Sequence, residues 1–371
     1  MHVGIPTETK NNEFRVAITP SGVAELTRRG HEVLIQAGAG EGSAIPDSEF
    51  KAAGAQLIAT AEGVWADADL VLKVKEPMPI EYSRMRRGQT LFTYLHLAAS
   101  RSCTEALLAA GTTSIAYETV QTPDGALPLL APMSEVAGRL SAQVGSYHLM
   151  RTHGGRGVLM GGVPGVEPAA VVVIGAGTAG YNAARVAIGM GAAVTVLDVN
   201  INRLRELDHV FAGRAQTRYS TALDVEEAVK QADLVIGAVL LPGGKAPTLV
   251  STSLVGQMKP GAVLVDIAID QGGCFQDSHP TTHDDPTFAV HDTLFYCVAN
   301  MPAAVPKTST YALTNATMPF AIELADNGWR DACRSNAALA KGLSTHDGAL
   351  LCQRVAADLG LPFTDPPELL V

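Results

Sequence analysis

Aromatic residues are scarce in this chain, 5% of 371 positions, so its interior is expected to consist of small and branched aliphatic side chains. Cysteine is scarce as well. The five present (Cys103, Cys274, Cys297, Cys333 and Cys352) are odd in number, widely spaced and form no CxxC pair, which argues against a disulfide framework and a thiolate zinc site. A reducing cytoplasm is the expected location. Positive charge is short too: 27 Lys and Arg against 37 Asp and Glu give a net charge of −10. Nothing here would neutralise a run of phosphates, so neither nucleic acid nor an anionic membrane surface is an expected partner. No apolar run reaches the roughly 18 residues that span a bilayer. The opening MHVGIPTETKNNEFR lacks the apolar stretch of a secretory signal. No repeat of fixed period and no low-complexity tract interrupts the chain.

What is present is glycine, 36 residues of it, and 47% hydrophobic residues, the composition of tightly packed α/β layers. The length suits two domains. VGIPTE, HEVLIQAG, LVLKVKEP, TLFTYLH and TSIAYETV read as strands, each rich in branched apolar residues and closed by polar or turn residues. PSGVAELTRRG has helical apolar spacing and stops at Gly30. Such alternation implies a parallel sheet under helices. SEVAGRLSAQVGSYHLMRT reads as a long helix capped by Ser134, and GGRGVLMGGVPGVEP as an irregular connector. Later strands are expected at ADLVIGAVL, AVLVDIAID and FYCVANMP, and the chain after Pro306 is mainly helical in pattern.

Between connector and later strands lies VVVIGAGTAGYNAARVAIGMGAAVTVLD, a strand, a glycine turn, a helix and a second strand. A GxGxxG match is weak alone, but here it has the right context. Gly175 permits the tight turn, Gly177 leaves room for a pyrophosphate against the backbone, and Gly180 lets helix and strand pack closely. The pyrophosphate is then held at the helix N-terminus. Asp198 ends the second strand, where a carboxylate accepts hydrogen bonds from the adenosine ribose and repels a 2′-phosphate, so NAD is expected over NADP. Arg203 lies near enough in sequence to weaken that preference. The expected fold is α/β: two doubly wound Rossmann-like domains with parallel sheets, separated by an active-site cleft. Residues 1–128 plus 307–371 form the substrate and catalytic domain, and residues 129–306 the NAD-binding one.

A dehydrogenase of this kind needs an acid–base group near the reacting carbon and cations for a carboxylate substrate. Arg15 follows the first strand, and its planar fork suits a carboxylate. Lys75 ends LVLKVK and His96 ends TLFTYLH; the histidine is the best placed of ten for proton transfer. Asp270 ends AVLVDIAID just before Gly272 and Gly273, and Asp266 is its near equal by position alone. Taken singly, such residues are more often solvated charges or structural histidines. The segment DSHPTTHDDPTFAVHD holds His279, His283 and His291; it is expected to be a solvated loop, with no metal site.

Taken together, GIPTETKNNEFRVAITP, LVLKVKEP, TYLHLAA, LAPMSEVAGR, VIGAGTAGYNAA and DIAIDQGGCF resemble the alanine dehydrogenase family over essentially the whole chain, in particular its mycobacterial branch. The resemblance implies reversible, NAD-linked deamination of L-alanine to pyruvate and ammonium in a homo-hexamer; glyoxylate and glycine are expected as further substrates because one methyl is worth only about 1–3 kcal/mol of discrimination. It implies that Arg15 and Lys75 bind substrate and that His96 and Asp270 are the catalytic pair. Ser134, Gly177, Thr178, Ala179, Asp198, Arg203, Ser220, Val239, Leu240, Ile267, Asn300 and Met301 fall on the family's cofactor-contacting segments. At position 279 the chain has His where close relatives carry Arg, so no cofactor contact is carried over there. Two alternatives share the nucleotide site: the soluble subunit of a proton-translocating transhydrogenase, and a non-enzymatic NAD(H) sensor. The TYLHLAA histidine and the AIDQGG aspartate count against the first, and the lack of a basic patch against the second.

Overall fold

Short runs of branched apolar residues become strands buried on both faces, and the chain assembles them into two sheets of one order. The computed structural model describes residues 1–239 and 246–366. The chain divides into two compact units, one of Met1–Met133 with the chain from Ala303 onward, the other of Ser134–Pro302. In the first unit β1 (His2–Ile5), β2 (Glu32–Gln36), β3 (Gln56–Ile58), β4 (Leu70–Leu72), β5 (Thr90–Thr93) and β6 (Thr113–Ala116) are parallel, in the order β3-β2-β1-β4-β5-β6. The second unit holds β7 (Ala170–Ile174), β8 (Ala193–Asp198), β9 (Ala215–Tyr219), β10 (Leu234–Gly237), β11 (Val263–Asp266), β12 (Thr287–Val290) and β13 (Thr293–Tyr296). Its parallel strands run β9-β8-β7-β10-β11-β13. Both orders reverse once, at β1/β4 and at β7/β10. In open α/β sheets ligands bind at such points, beyond the carboxyl ends of the strands.

Each sheet leaves the parallel pattern at one edge. β14 (Leu343–His346) lies antiparallel beside β6 and carries β15 (Ala349–Leu350), while β12 lies antiparallel beside β13. The sequence reading missed β3, β9, β12, β14 and β15, because each is too short or too polar to show a strand period. β12 falls inside the segment expected to be a solvated loop; TFAV pairs there because β13 offers an open edge.

Burial follows strand alternation. Val171 and Val173 enter one core with Ala183 and Ala187, whereas Val172 and Ile174 enter another with Val229 and Leu264. A run without polar alternation is thus a strand covered on both faces. The long helix spans Ala131–His148 rather than starting at Ser134. Pro132 sits in its first turn, where a missing N–H costs nothing, so Ser134 lies inside the helix and does not cap it. Small residues let this helix approach its neighbours: a Cβ on Gly138 would lie 2.2 Å from the Ala179 carbonyl oxygen. Burial pushes the thiols of Cys103, Cys297 and Cys333 up to about 12, which leaves them inert as nucleophiles. Among the described residues no helix is long and apolar enough to cross a membrane, and no group of three His, Cys, Asp or Glu is placed to hold a metal ion.

Candidate active site

The first unit gathers charged side chains at the carboxyl ends of β4, β5 and β6. Arg15 is buried and pairs with Glu13 through two contacts, Nε to Oε1 at 2.7 Å and Nη2 to Oε2 at 2.5 Å, while Nη1 donates to Met133 Sδ at 2.9 Å. Burial favours the neutral guanidine, but the charge and hydrogen bonds of Glu13, with Tyr94 and Glu8 close by, together overcome it and hold Arg15 more firmly protonated than usual. Lys75 is buried just past β4; its N–H donates to Glu8 Oε2 at 3.3 Å and its carbonyl accepts from the Thr93 hydroxyl at 2.9 Å. Beneath it Lys73 lies between Glu8 (2.9 Å) and Glu81 (3.0 Å), all three buried. Burial raises the Glu8 carboxyl more than Lys73 lowers it.

His96 follows β5 in the left-handed region, at φ 47 and ψ 40. That conformation is strained for a residue with a Cβ, and Glu118 supports it. The Glu118 carboxylate, buried beyond β6, accepts the Leu95 N–H at 3.2 Å and the His96 N–H at 2.6 Å. The imidazole stacks on Tyr94, with centroids 5.9 Å apart and planes at 16°. Tyr94 donates its hydroxyl to the Leu129 carbonyl at 2.5 Å, and burial keeps it protonated despite the charge of Arg15 close by. Glu76 ties the group together. Burial pushes its carboxyl up, but Lys75, Lys10 and His96 overcome this and hold it below the usual range; the Lys10 ammonium lies 2.5 Å away. Arg15, Lys75 and His96 thus occupy one electrostatic neighbourhood.

The second unit presents main chain. Gly175 turns at φ 105, where a Cβ would lie 2.6 Å from the Ala238 carbonyl oxygen and 3.0 Å from Val239 Cγ2. A Cβ on Gly180 would come within 1.7 Å of the Gly175 carbonyl oxygen, whereas one on Gly177 would meet nothing within 4 Å. Gly180 is therefore a packing glycine, and Gly177 borders open space. The helix Thr178–Gly189, which opens with Thr178 and Ala179, has no side chain capping it, so its first N–H groups suit a pyrophosphate. Asp198 ends β8, accepting the Ala176 N–H at 2.6 Å and the Asn200 N–H at 2.7 Å. Arg203 donates Nε and Nη2 to the Ala176 carbonyl (3.2 and 3.0 Å) and pairs with Glu206. Ser220, just past β9, donates its N–H to the Asp198 carbonyl at 3.0 Å. These residues fit a dinucleotide.

Beyond β11, Ile267 and Asp270 lie half-buried on a short helical turn, Ile267–Gln271. Asp270 Oδ1 accepts the N–H of Asn300 at 3.3 Å; Asn300 is buried and left-handed (φ 64), and the buried Met301 follows it. Asp266, the other candidate on this strand, is fully buried and surrounded by donors, so it cannot touch a substrate. Ser134 is half-buried in its helix, and Leu240 lies outside the described residues. His279 stacks its exposed ring on Phe288 at 3.7 Å. The sequence reading missed Glu13, Glu76 and Glu118. Glu13, two residues before Arg15, and Glu76, next to Lys75, offered a local hint, whereas Glu118 lies far in sequence from the His96 backbone it holds.

Family models described as alanine dehydrogenase/PNT match almost the whole chain, the N-terminal domain over residues 4–137 and the C-terminal domain over residues 141–353. A relative named alanine dehydrogenase, from Mycobacterium tuberculosis (strain CDC 1551 / Oshkosh), is 81% identical over 370 residues, covering 100% of both chains. Among solved structures, one titled L-alanine dehydrogenase superposes with a TM-score of 0.92 at 49% identity, covering 97% of this chain and 99% of that one. A transhydrogenase from Sinorhizobium meliloti superposes less closely, with a TM-score of 0.79 at 26% identity, covering 95% and 99%.

Proposed function

This chain belongs to the alanine dehydrogenase/PNT family, and from that premise we propose that its two strand-end clusters carry out the reversible oxidative deamination of L-alanine to pyruvate and ammonium with NAD. The observation that carries the reading is the grouping of Arg15, Lys75 and His96 around Glu76 and Tyr94. A carboxylate-gripping cation, a second cation and a proton carrier are what a small amino acid requires. The greater likeness to the L-alanine dehydrogenase structure than to the transhydrogenase supports turnover over simple dinucleotide binding.

When bound, NAD supplies the acceptor for the hydride leaving Cα of alanine. The main chain of Gly175, Gly177, Thr178 and Ala179 would hold its pyrophosphate, with Gly180 packing the helix closely behind them, and Asp198 would hold its adenosine ribose. Ser134, Arg203, Ser220, Val239, Leu240, Ile267, Asn300 and Met301 complete the proposed binding set. Glu13 takes the Nε–Nη2 edge of Arg15, and the guanidinium held by that pair would grip the substrate carboxylate. Lys75 bonds the carboxylate or the developing carbonyl. Water adds to the iminopyruvate, and His96 accepts the hydroxyl proton of the resulting carbinolamine as ammonia departs. Asp270 orients the water or amine and stabilises positive charge on the imine.

Glyoxylate is a further substrate, because loss of one methyl costs only about 1–3 kcal/mol of discrimination. The enzyme works in the cytoplasm as a homo-hexamer, a reading that rests on family membership. The test is a spectrophotometric assay with L-alanine and NAD at alkaline pH, then pyruvate, ammonium and NADH at neutral pH. Turnover in both directions is expected. Saturable NADH binding without turnover would sink the proposal in favour of a transhydrogenase-like or sensing role.

A further inference from the structure

Asp266 has a job that its burial would otherwise make hard to understand. Its carboxylate is fully enclosed at the end of β11, where an unpaired charge is costly. Burial raises its pKa, and hydrogen bonds from Ser278 and Cys274 pull against that rise. Oδ1 accepts the Ala268 N–H at 3.0 Å and the Cys274 thiol at 3.5 Å. Oδ2 accepts the Cys274 N–H at 2.8 Å, the Phe275 N–H at 3.4 Å and the Ser278 hydroxyl at 2.6 Å.

These donors lie on both sides of Asp270 in sequence. Asp266 caps the turn Ile267–Gln271 from below and gathers the returning chain at 274–278, closing the segment into a loop with Asp270 on it. Gly273 makes the closure possible. At φ 75 its backbone passes so near the carboxylate that a Cβ would lie 2.8 Å from Asp266 Oδ2 and 2.7 Å from Ser278 Cβ. Two acceptor oxygens meet donors on every side, a demand Asn cannot satisfy, because its NH₂ would face other donors.

Resting on the reading of Asp270 as catalytic, we propose that Asp266 is a positioning residue, which acts on turnover through Asp270 by fixing the loop that carries it. A one-ångström misplacement of a catalytic group costs on the order of 10²-fold in rate, which sets the expected effect.

The test is a double-mutant cycle in the full-length protein: Asp266→Asn, Asp270→Asn and both together, with kcat normalised to NADH-binding sites and KM for alanine measured alongside. Asp266→Asn is expected to lower kcat about 10²-fold alone and to have little effect in the Asp270→Asn background. An equal loss in both backgrounds, or a lower melting temperature with kcat intact, overturns the proposal and leaves the role of Asp270 standing. If Asp270→Asn keeps wild-type kcat, the reading of Asp270 falls and this inference with it. Should Asp266→Asn not fold, Ser278→Ala removes one donor. Its loss of kcat, about threefold to tenfold, must likewise vanish in the Asp270→Asn background, and an equal loss there overturns the proposal.

Discussion

The two sheets share one strand order and place opposite kinds of site at its end. The second unit offers main chain: glycines at 175 and 180 where no Cβ fits, and a helix start with no side-chain cap. The first offers ionised side chains packed out of water, with Arg15 on Glu13 and Lys73 between Glu8 and Glu81. A site of backbone fails when an atom is added. A site of buried charge fails when one is taken away, because the partner is left uncompensated.

The largest effect is expected at the charged end. Arg15→Ala removes the buried cation paired with Glu13 and should cost about 3–5 kcal/mol in denaturant unfolding, with turnover lost. Combining Arg15→Met with Glu13→Gln should recover most of that stability but no activity, which separates the ion pair from the substrate contact. Gly180→Ala is the converse. Its Cβ would lie 1.7 Å from the Gly175 carbonyl oxygen, so a loss of about 1–3 kcal/mol should accompany weakened NADH binding in a titration. Equal tolerance of Ala at positions 177 and 180 would break the comparison.

Smaller effects sharpen it. Glu118→Gln loosens the left-handed backbone at His96 and should lower kcat about tenfold, within the 1–3 kcal/mol such strain represents, with NADH affinity unchanged. Glu76→Gln should destabilise by about 1.5–3 kcal/mol near neutral pH. The folded Glu76 carboxyl titrates below its usual 4.5, so its stabilisation is complete above that value and is lost as pH falls through the depressed one. The gap between wild type and variant should therefore close in acid, and a gap that widens there contradicts the assignment. Asp198→Asn should have the least effect on fold and narrow the preference for NAD over NADP by about tenfold, read as a ratio of kcat/KM.

The same contrast explains what the sequence could disclose. A main-chain site writes itself into glycine spacing, so the strand, the turn and Asp198 were all legible from one contiguous stretch. Arg15, Lys75 and His96 were legible as residue types at strand ends, but their partners were not. Glu8 and Glu118 meet Lys73 and His96 only after the sheet has formed, and before that they read as surface acids. Asp266 and Asp270 were nearly equal by position, which favoured Asp270 only slightly, and are parted by burial. Nothing in TYLH announces a left-handed histidine, since that strain is imposed by Glu118 across the sheet. The edge strands escaped because two to five half-polar residues carry no period.

The division of labour between the lobes is tested most directly by His96→Ala, measured at once for NADH binding and for alanine turnover. Turnover lower by about 10²–10⁴-fold, the usual worth of a positioned acid–base group, with an unaltered NADH isotherm, is the predicted result. Wild-type turnover in that variant, or loss of cofactor binding in step with activity, would contradict it.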